Sequence, residues 1–446
     1  AVVGNPPYIV VRDAALNATY RRHYASCHMK YSLGAPFTER FFELAVTGRD
    51  ARPAGYVGLI TTNSFMKREF GSKLIERVLP RLDLSHVVDT SGAYIPGHGT
   101  PTVILFGRHR APVGDGVRTV MGIKGEPSTP DDPAQGLVWS AVVAQIDRAG
   151  SESEFVSVAD TPRATFAKHP WSIGGGGAAD LKNTMEAAAS STAGALATEI
   201  GVFGMTNADE VMLAPEAAFR RQRVEVQFRR PLIVGDLVRD WDLTPTDEVL
   251  FPYLDDGVTP LDLAPRTAAW LWSCRTTLGN RATFGKSTYF DEGRPWWAWH
   301  QVALRRVSTP LTITFAEIAT HNHFVLDRGG KVFKQTAPVI KLPAGASEDE
   351  HLGLLGLLNS SVACFWLKQV CQDKAGSGIG RGVRNEAWEA RYAFNASNVA
   401  EFPLIDIRPV DLAQTLDHLA QELAASSPAA LLDTSRVSEG DNDASP

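Results

Sequence analysis

Four residues near the start of the chain, Asn5-Pro6-Pro7-Tyr8, bring together groups that could do chemistry without any charged side chain. Pro6 and Pro7 each fix their own φ and donate no N–H, and Pro7 holds Pro6 in extended geometry. Their carbonyls are left free to accept hydrogen bonds, with a side-chain amide on one side and a flat phenol ring on the other. Acceptors converging beside a stacking surface are what an exocyclic amine on a planar ring requires. The apolar run Ala1-Val2-Val3 followed by Gly4 reads as a strand that stops abruptly at a sheet edge and delivers the turn there.

This Asn-Pro-Pro-Tyr turn after a strand resembles the catalytic motif of amino-group methyltransferases that use S-adenosylmethionine (AdoMet). The sequence beyond it is similar to the adenine-N6 DNA methyltransferases of type IIG restriction–modification systems and of BREX, the phage-growth-limitation form of phage defence. The resemblance runs from Asn5 to about Leu404 and is strongest over the first 110 residues and again between Leu354 and Phe402. It implies Asn5, Pro6, Pro7 and Tyr8 as catalytic residues, AdoMet as methyl donor, double-stranded DNA as partner, and association with other phage-defence proteins. In this family the Gly-rich AdoMet loop and the acidic ribose-binding residue precede the turn. Only a few residues precede it here, so the chain is expected to be a C-terminal fragment that neither binds AdoMet tightly nor turns over alone.

The elements that must position the turn alternate in type. Arg12 to Tyr31 reads as a polar loop or short helix covering the substrate. Pro36 opens a helix in which Phe37, Phe41, Leu44 and Ala45 share a face. Gly55 to Thr61 is a buried-type strand, and Ser64 caps a helix that carries Phe70, Leu74, Ile75, Val78 and Leu79 up to Pro80. Leu84–Asp89 and Thr102–Phe106 are further strands. The expected fold class is α/β: the C-terminal half of a Rossmann-like methyltransferase sheet over 1–110, then a linker or irregular connection over 111–195. A mixed α+β target-recognition domain over 196–405 comes next, and an acidic helical or disordered tail over 406–446 ends the chain. Gly174 to Gly177 reads as a flexible joint before a helix from Asp180 to Ala189; no strand and no Lys-Ser/Thr frame it as a phosphate cradle. His98, in the Gly/Pro-rich loop from Tyr94 to Thr102, is a candidate base or phosphate contact, or simply faces water.

Within the recognition domain, Arg220, Arg221, Arg223, Arg229 and Arg230 surround one acid, Glu225. Such a run suits phosphates and guanine edges; it reads equally as a solvated charged face. Short strands are expected around the Asn207-Ala208-Asp209 turn, at Pro231–Gly235 and at Val249–Tyr253. Trp296, Trp297 and Trp299 beside Arg294, Arg305 and Arg306 are either a base-stacking cluster or, more commonly, core. His321-Asn322-His323 lacks the spread spacing of a metal site, and no nuclease constellation is found. A single helix is expected from His351 to Val370, followed by a basic Gly-rich loop in which Lys374, Arg381 and Arg384 reach toward DNA. Leu412, Leu416, Leu419 and Leu423 keep helical spacing, and Thr434 to Pro446 is acidic and polar.

The chain of 446 residues exceeds what one core usually spans. It is 44% hydrophobic and 21% charged, as soluble globular proteins are, and has no membrane-length apolar run. The four cysteines carry no C-x-x-C pair, which argues against disulfides and a zinc site and for a cytoplasmic home. The net charge of −6 is concentrated: from Asp406 onward eight acids face two arginines. Global charge therefore leaves nucleic-acid binding open, and local clusters decide. Release-factor glutamine methyltransferases share the tetrapeptide but lack some three hundred residues of further sequence. RNA adenine methylation, a non-catalytic DNA-recognition subunit, and the methyltransferase half of a type IIG restriction enzyme are also compatible with these residues.

Overall fold

In the computed structural model the described residues are 1–48, 53–97, 99–239, 241–254, 260–307, 309–374, 390–428 and 430. The chain divides into two compact units that are each discontinuous in sequence. The first is Ala1–Ala187 with Lys368–Ala393, and the second is Ala188–Leu367 with Phe394–Pro446.

The first unit is built on a six-stranded sheet of order β1-β2-β4-β3-β5-β6. Its strands are β1 (Val2–Gly4), β2 (Tyr56–Thr62), β3 (Asp83–Asp89), β4 (Thr102–Arg108), β5 (Gly116–Gly122) and β6 (Val156–Pro162). β1 runs parallel to β2 and β3 parallel to β5, while the pairings of β4 with β2 and β3, and of β5 with β6, are antiparallel. The buried core is apolar: Val57, Leu59, Leu84, Val87, Val103, Leu105 and Val117 from the strands meet Phe42, Phe65, Leu74, Ile75 and Trp171.

The helices differ from expectation in instructive ways. Arg12 to Tyr31 contains a helix, α1 (Ala14–His23), capped by Asp13, whose carboxylate accepts from the Leu16 amide at 2.7 Å. α2 (Gly34–Leu44) buries Ala35, Thr38 and Phe42, a face one step round from the expected one, and leaves Leu44 exposed. The cause is close approach to β2: a Cβ at Gly34 would lie 2.5 Å from Thr61 Oγ1. The long helix expected after Ser64 is broken into α3 (Ser64–Lys67) and three short turns up to Arg81. At Gly71 the backbone folds onto Phe65 so tightly that a Cβ would sit 1.8 Å from the Phe65 carbonyl oxygen. Phe70, Leu74, Ile75, Val78 and Leu79 are nevertheless all buried.

The stretch 111–195, expected to be an irregular connection, instead supplies β5, β6 and the helix α4 (Leu137–Gln145), which packs Val138 and Val142 on Val120, Val156 and Val158. Gly174–Gly177 is likewise no free joint. The Gly175 amide donates to the Gly122 carbonyl at 3.1 Å, and a Cβ there would meet Ile123, Ser157 and Met121. These glycines let the chain cross the end of β5 at backbone distance, with Gly176 and Gly177 at positive φ before a helix at Ala178–Ala188.

The second unit holds two four-stranded sheets. One joins Leu213–Ala214, Asp247–Leu250, Arg229–Ile233 and Val332–Phe333; the other joins Phe324–Asp327, Thr312–Phe315, Val339–Lys341 and Glu199–Gly201. The segment from Val211, expected as a strand, opens as a helical turn, Asp209–Met212, before the strand Leu213–Ala214. The single helix expected from His351 to Val370 is two, Glu348–Leu358 and Ser361–Val370. The break occurs because Asn359 turns its amide to the edge strand: Nδ2 donates to the Phe324 carbonyl at 2.8 Å and Oδ1 accepts from its N–H at 3.0 Å. Asn322 Nδ2 donates to the Leu358 carbonyl at 2.5 Å, fixing the same corner from the other side. Trp299 is core, its indole N–H donating to the Leu250 carbonyl at 2.7 Å. The helix Val410–Ala425 packs through Ala413 and Asp417, whereas Leu412, Leu416, Leu419 and Leu423 are exposed. His98, Arg381 and Arg384, and the tail from Thr434, lie outside the described residues.

This packing has two measurable outcomes. Asn359→Ala strands both Phe324 backbone groups and should destabilise the second unit by about 2–4 kcal/mol, measured by urea unfolding. Lys341 is buried, its ammonium donating to Thr309 and Leu311 carbonyls and Thr312 Oγ1, and desolvation lowers its pKa to about 8. Between about 8 and the usual lysine value of 10.5 the unfolded chain holds a proton that the folded one has released. Stability contributed at this site therefore rises with pH across that window. Lys341→Met should remove that part of the slope when melts of the two proteins are compared across the window from about 8 to 10.5.

Candidate active site

The Asn5–Tyr8 turn leaves the sheet at the carboxyl end of β1, the edge strand. Gly4, its last residue, pairs with Leu59 on β2 and lies beneath the Phe41 ring of α2, where a Cβ would come within 2.7 Å of the ring. α2 is thus stacked on the strand one residue before the turn. Asn5 and Pro7 are exposed, Pro6 is buried, and Tyr8 is half-buried. One proline anchors the corner while the amide faces solvent. Burial pushes the Tyr8 phenol above its ordinary pKa, so the ring stays neutral.

The chain beyond the turn folds back beside it. Leu33 N–H donates to the Ile9 carbonyl at 2.8 Å, and Val10 bridges Ser32 antiparallel. Tyr31 is fully buried at this crossing, with the Arg21 guanidinium over its ring and its hydroxyl donating to the Asn17 carbonyl at 3.4 Å. Burial raises the Cys27 thiol to about 11 and the Tyr31 phenol to about 12, so both are neutral structural groups. Arg21 also donates to the Asn17 side chain at 2.8 Å and to the Met29 carbonyl. The segment from α1 to α2 is therefore tied to the chain just past the turn by backbone bonds, and Arg21 braces it internally.

The strand register brings other polar groups to the same end of the sheet. The carboxyl ends of β2, β3 and β5 lie on the side of Asn5, because β1 and β2, and β3 and β5, run parallel. Asn63, just past β2, donates its N–H to the Pro101 carbonyl at 3.0 Å, and its side-chain oxygen is buried without a partner. Lys67, on α3, donates from Nζ to the Lys368 carbonyl at 3.1 Å. Asp89 ends β3 and accepts from the Ser91 N–H at 2.9 Å. Desolvation lowers the Lys67 pKa and raises that of Asp89, each partly offset by the other's charge. Nothing in the spacing of Lys67 and Asp89 marks them in the sequence; only the register does. Their place fits the rule that open α/β sheets bind ligands beyond the carboxyl ends of their strands.

The basic residues expected to contact DNA differ in their local surroundings. Arg229 is consumed in a buried ion pair with Glu248 at 2.8 Å, and Arg230 donates to the Gln227 and Arg229 carbonyls. Arg220, Arg221 and Arg223 are exposed at the end of the helix Glu216–Arg221, with Arg220 3.7 Å from Glu216. Lys374 belongs to the other unit, exposed, with its N–H on the Arg391 carbonyl. Among the described residues no His/Cys/Asp/Glu group gathers to hold a metal, and no helix is long and apolar enough to cross a membrane.

Residues 1–95 match the family of Eco57I restriction-modification methylases. Over 443 residues, 96% of the chain, the sequence is 51% identical to the adenine-specific methyltransferase PglX of Streptomyces coelicolor. The match covers 36% of that protein, so the chain spans about a third of its relative's length. Among solved structures, the type IIL restriction–modification enzyme MmeI in complex with DNA superposes with a TM-score of 0.55. That match is at 13% identity and covers 96% of this chain and 49% of the other, a likeness of fold. The resemblance read from Asn5 onward therefore stands: the chain is similar, over nearly all of its length, to an adenine-specific methyltransferase, and its first 95 residues match the restriction–modification methylase family.

Proposed function

We propose that this chain is the target-binding part of an adenine-N6 DNA methyltransferase of phage defence or restriction–modification, acting on double-stranded DNA with AdoMet as methyl donor. The observation that carries the reading is the placement of Asn5-Pro6-Pro7-Tyr8. The turn stands on the carboxyl end of an edge strand, with Asn5 in solvent and Pro6 as its buried foot. The identity to PglX supports the substrate class.

The N6 amine of adenine is a poor nucleophile because its lone pair is delocalised into the ring. Two acceptors, the Asn5 side-chain oxygen and the Pro6 carbonyl, would accept hydrogen bonds from its N–H groups and favour a pyramidal nitrogen with the lone pair directed outward. Such acceptors act where positive charge develops and need no reorganisation at the moment of reaction. The base must leave the duplex to reach them, and the open part of the Tyr8 ring supplies a stacking face worth about 1–3 kcal/mol.

When bound, AdoMet would supply the electrophilic methyl, its sulfur leaving as the thioether as the N–C bond forms, and the proton lost from the nitrogen would pass to solvent. In this reading the first unit supplies the amine side of the reaction. Asp89, the carboxylate at the strand ends, accepts from Ser91 and from the Gly122 amide. We read the sheet as the C-terminal half of a Rossmann-like methyltransferase sheet, in which parallel β1 and β2 meet the antiparallel β4. The second unit is read as the target-recognition domain, with Arg220, Arg221 and Arg223 as its phosphate contacts.

In the parent protein, Asn5→Ala should lower methyl transfer to adenine by about 10²–10³-fold while DNA affinity is retained. Labelled transfer to DNA with a digest to N6-methyladenine reads the first, and a gel-shift titration the second. Methyl transfer at the parental rate by the variant would remove Asn5 from the reaction.

A further inference from the structure

The second unit contains a cleft of ≈ 160 Å³ whose floor is apolar and whose mouth carries two amides. Leu213, Leu232 and Trp299 line it, and Gly204 admits the Trp299 ring, since a Cβ there would lie 2.8 Å from Cζ3. At the mouth stand Asn207 and Gln335, both exposed. Neither side-chain amide makes a hydrogen bond among the described residues.

The turn that presents Asn207 is held by its neighbours. Asn207 has φ +51°, in the left-handed region that asparagine enters more readily than most non-glycine residues. Thr206 is buried and binds the Ala208 N–H at 3.1 Å and the Asp209 carboxylate through its hydroxyl. The Thr206 carbonyl accepts from the partly buried Arg281 guanidinium at 2.5 Å, and Arg281 also holds the Trp296 and Ala298 carbonyls. Asp209 is paired at 2.5 Å with Lys334, so the lysine that lines the cleft is already occupied. The remaining charge at the rim is Glu210, an anion.

From these groups we infer that the cleft reads the edge of an adenine base in duplex DNA, with Asn207 and Gln335 as the readers; this rests on the function proposed above. A side-chain amide pairs one acceptor with one donor, the complement of adenine N6 and N7 in the major groove. Guanine presents two acceptors there and calls for a free Arg or Lys, and Lys334 is taken. Glu210 repels phosphate and accepts from an exocyclic amine, which favours a base edge over the backbone. The cleft is also well below the ~300–1,000 Å³ that encloses a whole small ligand, so it suits an edge rather than an extruded nucleotide.

The test uses the purified parent protein on fragmented genomic DNA, with the methylated positions sequenced. The parent should return a defined motif containing an adenine besides the methylated one. Asn207→Ala/Gln335→Ala should keep methylating that motif but discriminate against other bases at one A·T position about 10- to 100-fold less. A melt equal to the parent's confirms folding, since both side chains are exposed. A parent that methylates and a double variant with an unchanged motif would overturn this inference alone. So would a loss spread evenly over all sequences with a lower salt slope, the signature of a phosphate contact. A parent that yields no methylated adenine would overturn the proposed function and the inference with it.

Discussion

The constraint that sets the turn at the first unit's sheet edge is steric: the Phe41 ring lies on Gly4. A Cβ at Gly4 would come within 2.7 Å of that ring and force it to shift. Because β1 has only three residues, its own ladder with β2 is too short to fix the direction in which the chain leaves the sheet. The helix stacked on it does so instead. Two prolines then carry that direction forward with no soft φ between them, and Pro6, buried, closes the corner. Asn5 is thereby held exposed on a rigid base, the condition under which a neutral acceptor can act without reorganising first.

How much of this was legible in the sequence depended on the range of the interactions involved. The Asn-Pro-Pro-Tyr turn was legible because its chemistry is local: prolines fix φ whatever surrounds them. The strands at Tyr56–Thr62, Asp83–Asp89 and Thr102–Arg108 were legible from their β-branched runs. The features that escaped were set by distant partners. Asn359 reads as a polar residue within a continuous leucine-rich helix until Phe324, 35 positions away, claims both ends of its amide. Gly174–Gly177 reads as a hinge until Ile123 and Ser157 are found pressed against it. Arg229 reads like its four neighbours until Glu248 removes it from the surface.

The same distinction separates the two kinds of polar group in the molecule. Lys341, Arg281 and Asp89 are enclosed by carbonyls and amides and serve the fold; burial shifts each away from its charged form. Asn5, Asn207 and Gln335 are uncharged, exposed and set on rigid corners. The first group is spent on internal contacts, whereas an exposed amide remains open to a partner and discriminates by geometry and not by charge.

The discontinuity of the two units bears on how the chain comes to be folded. The first unit is incomplete until Lys368–Ala393 has been made, and the second needs Phe394 onward. Lys67 must wait some three hundred residues of synthesis for the Lys368 carbonyl it caps. Neither body can close behind the ribosome in simple succession. Maturation of the catalytic sheet is thus coupled to completion of the module inserted within it, and a truncated translation product would lack both.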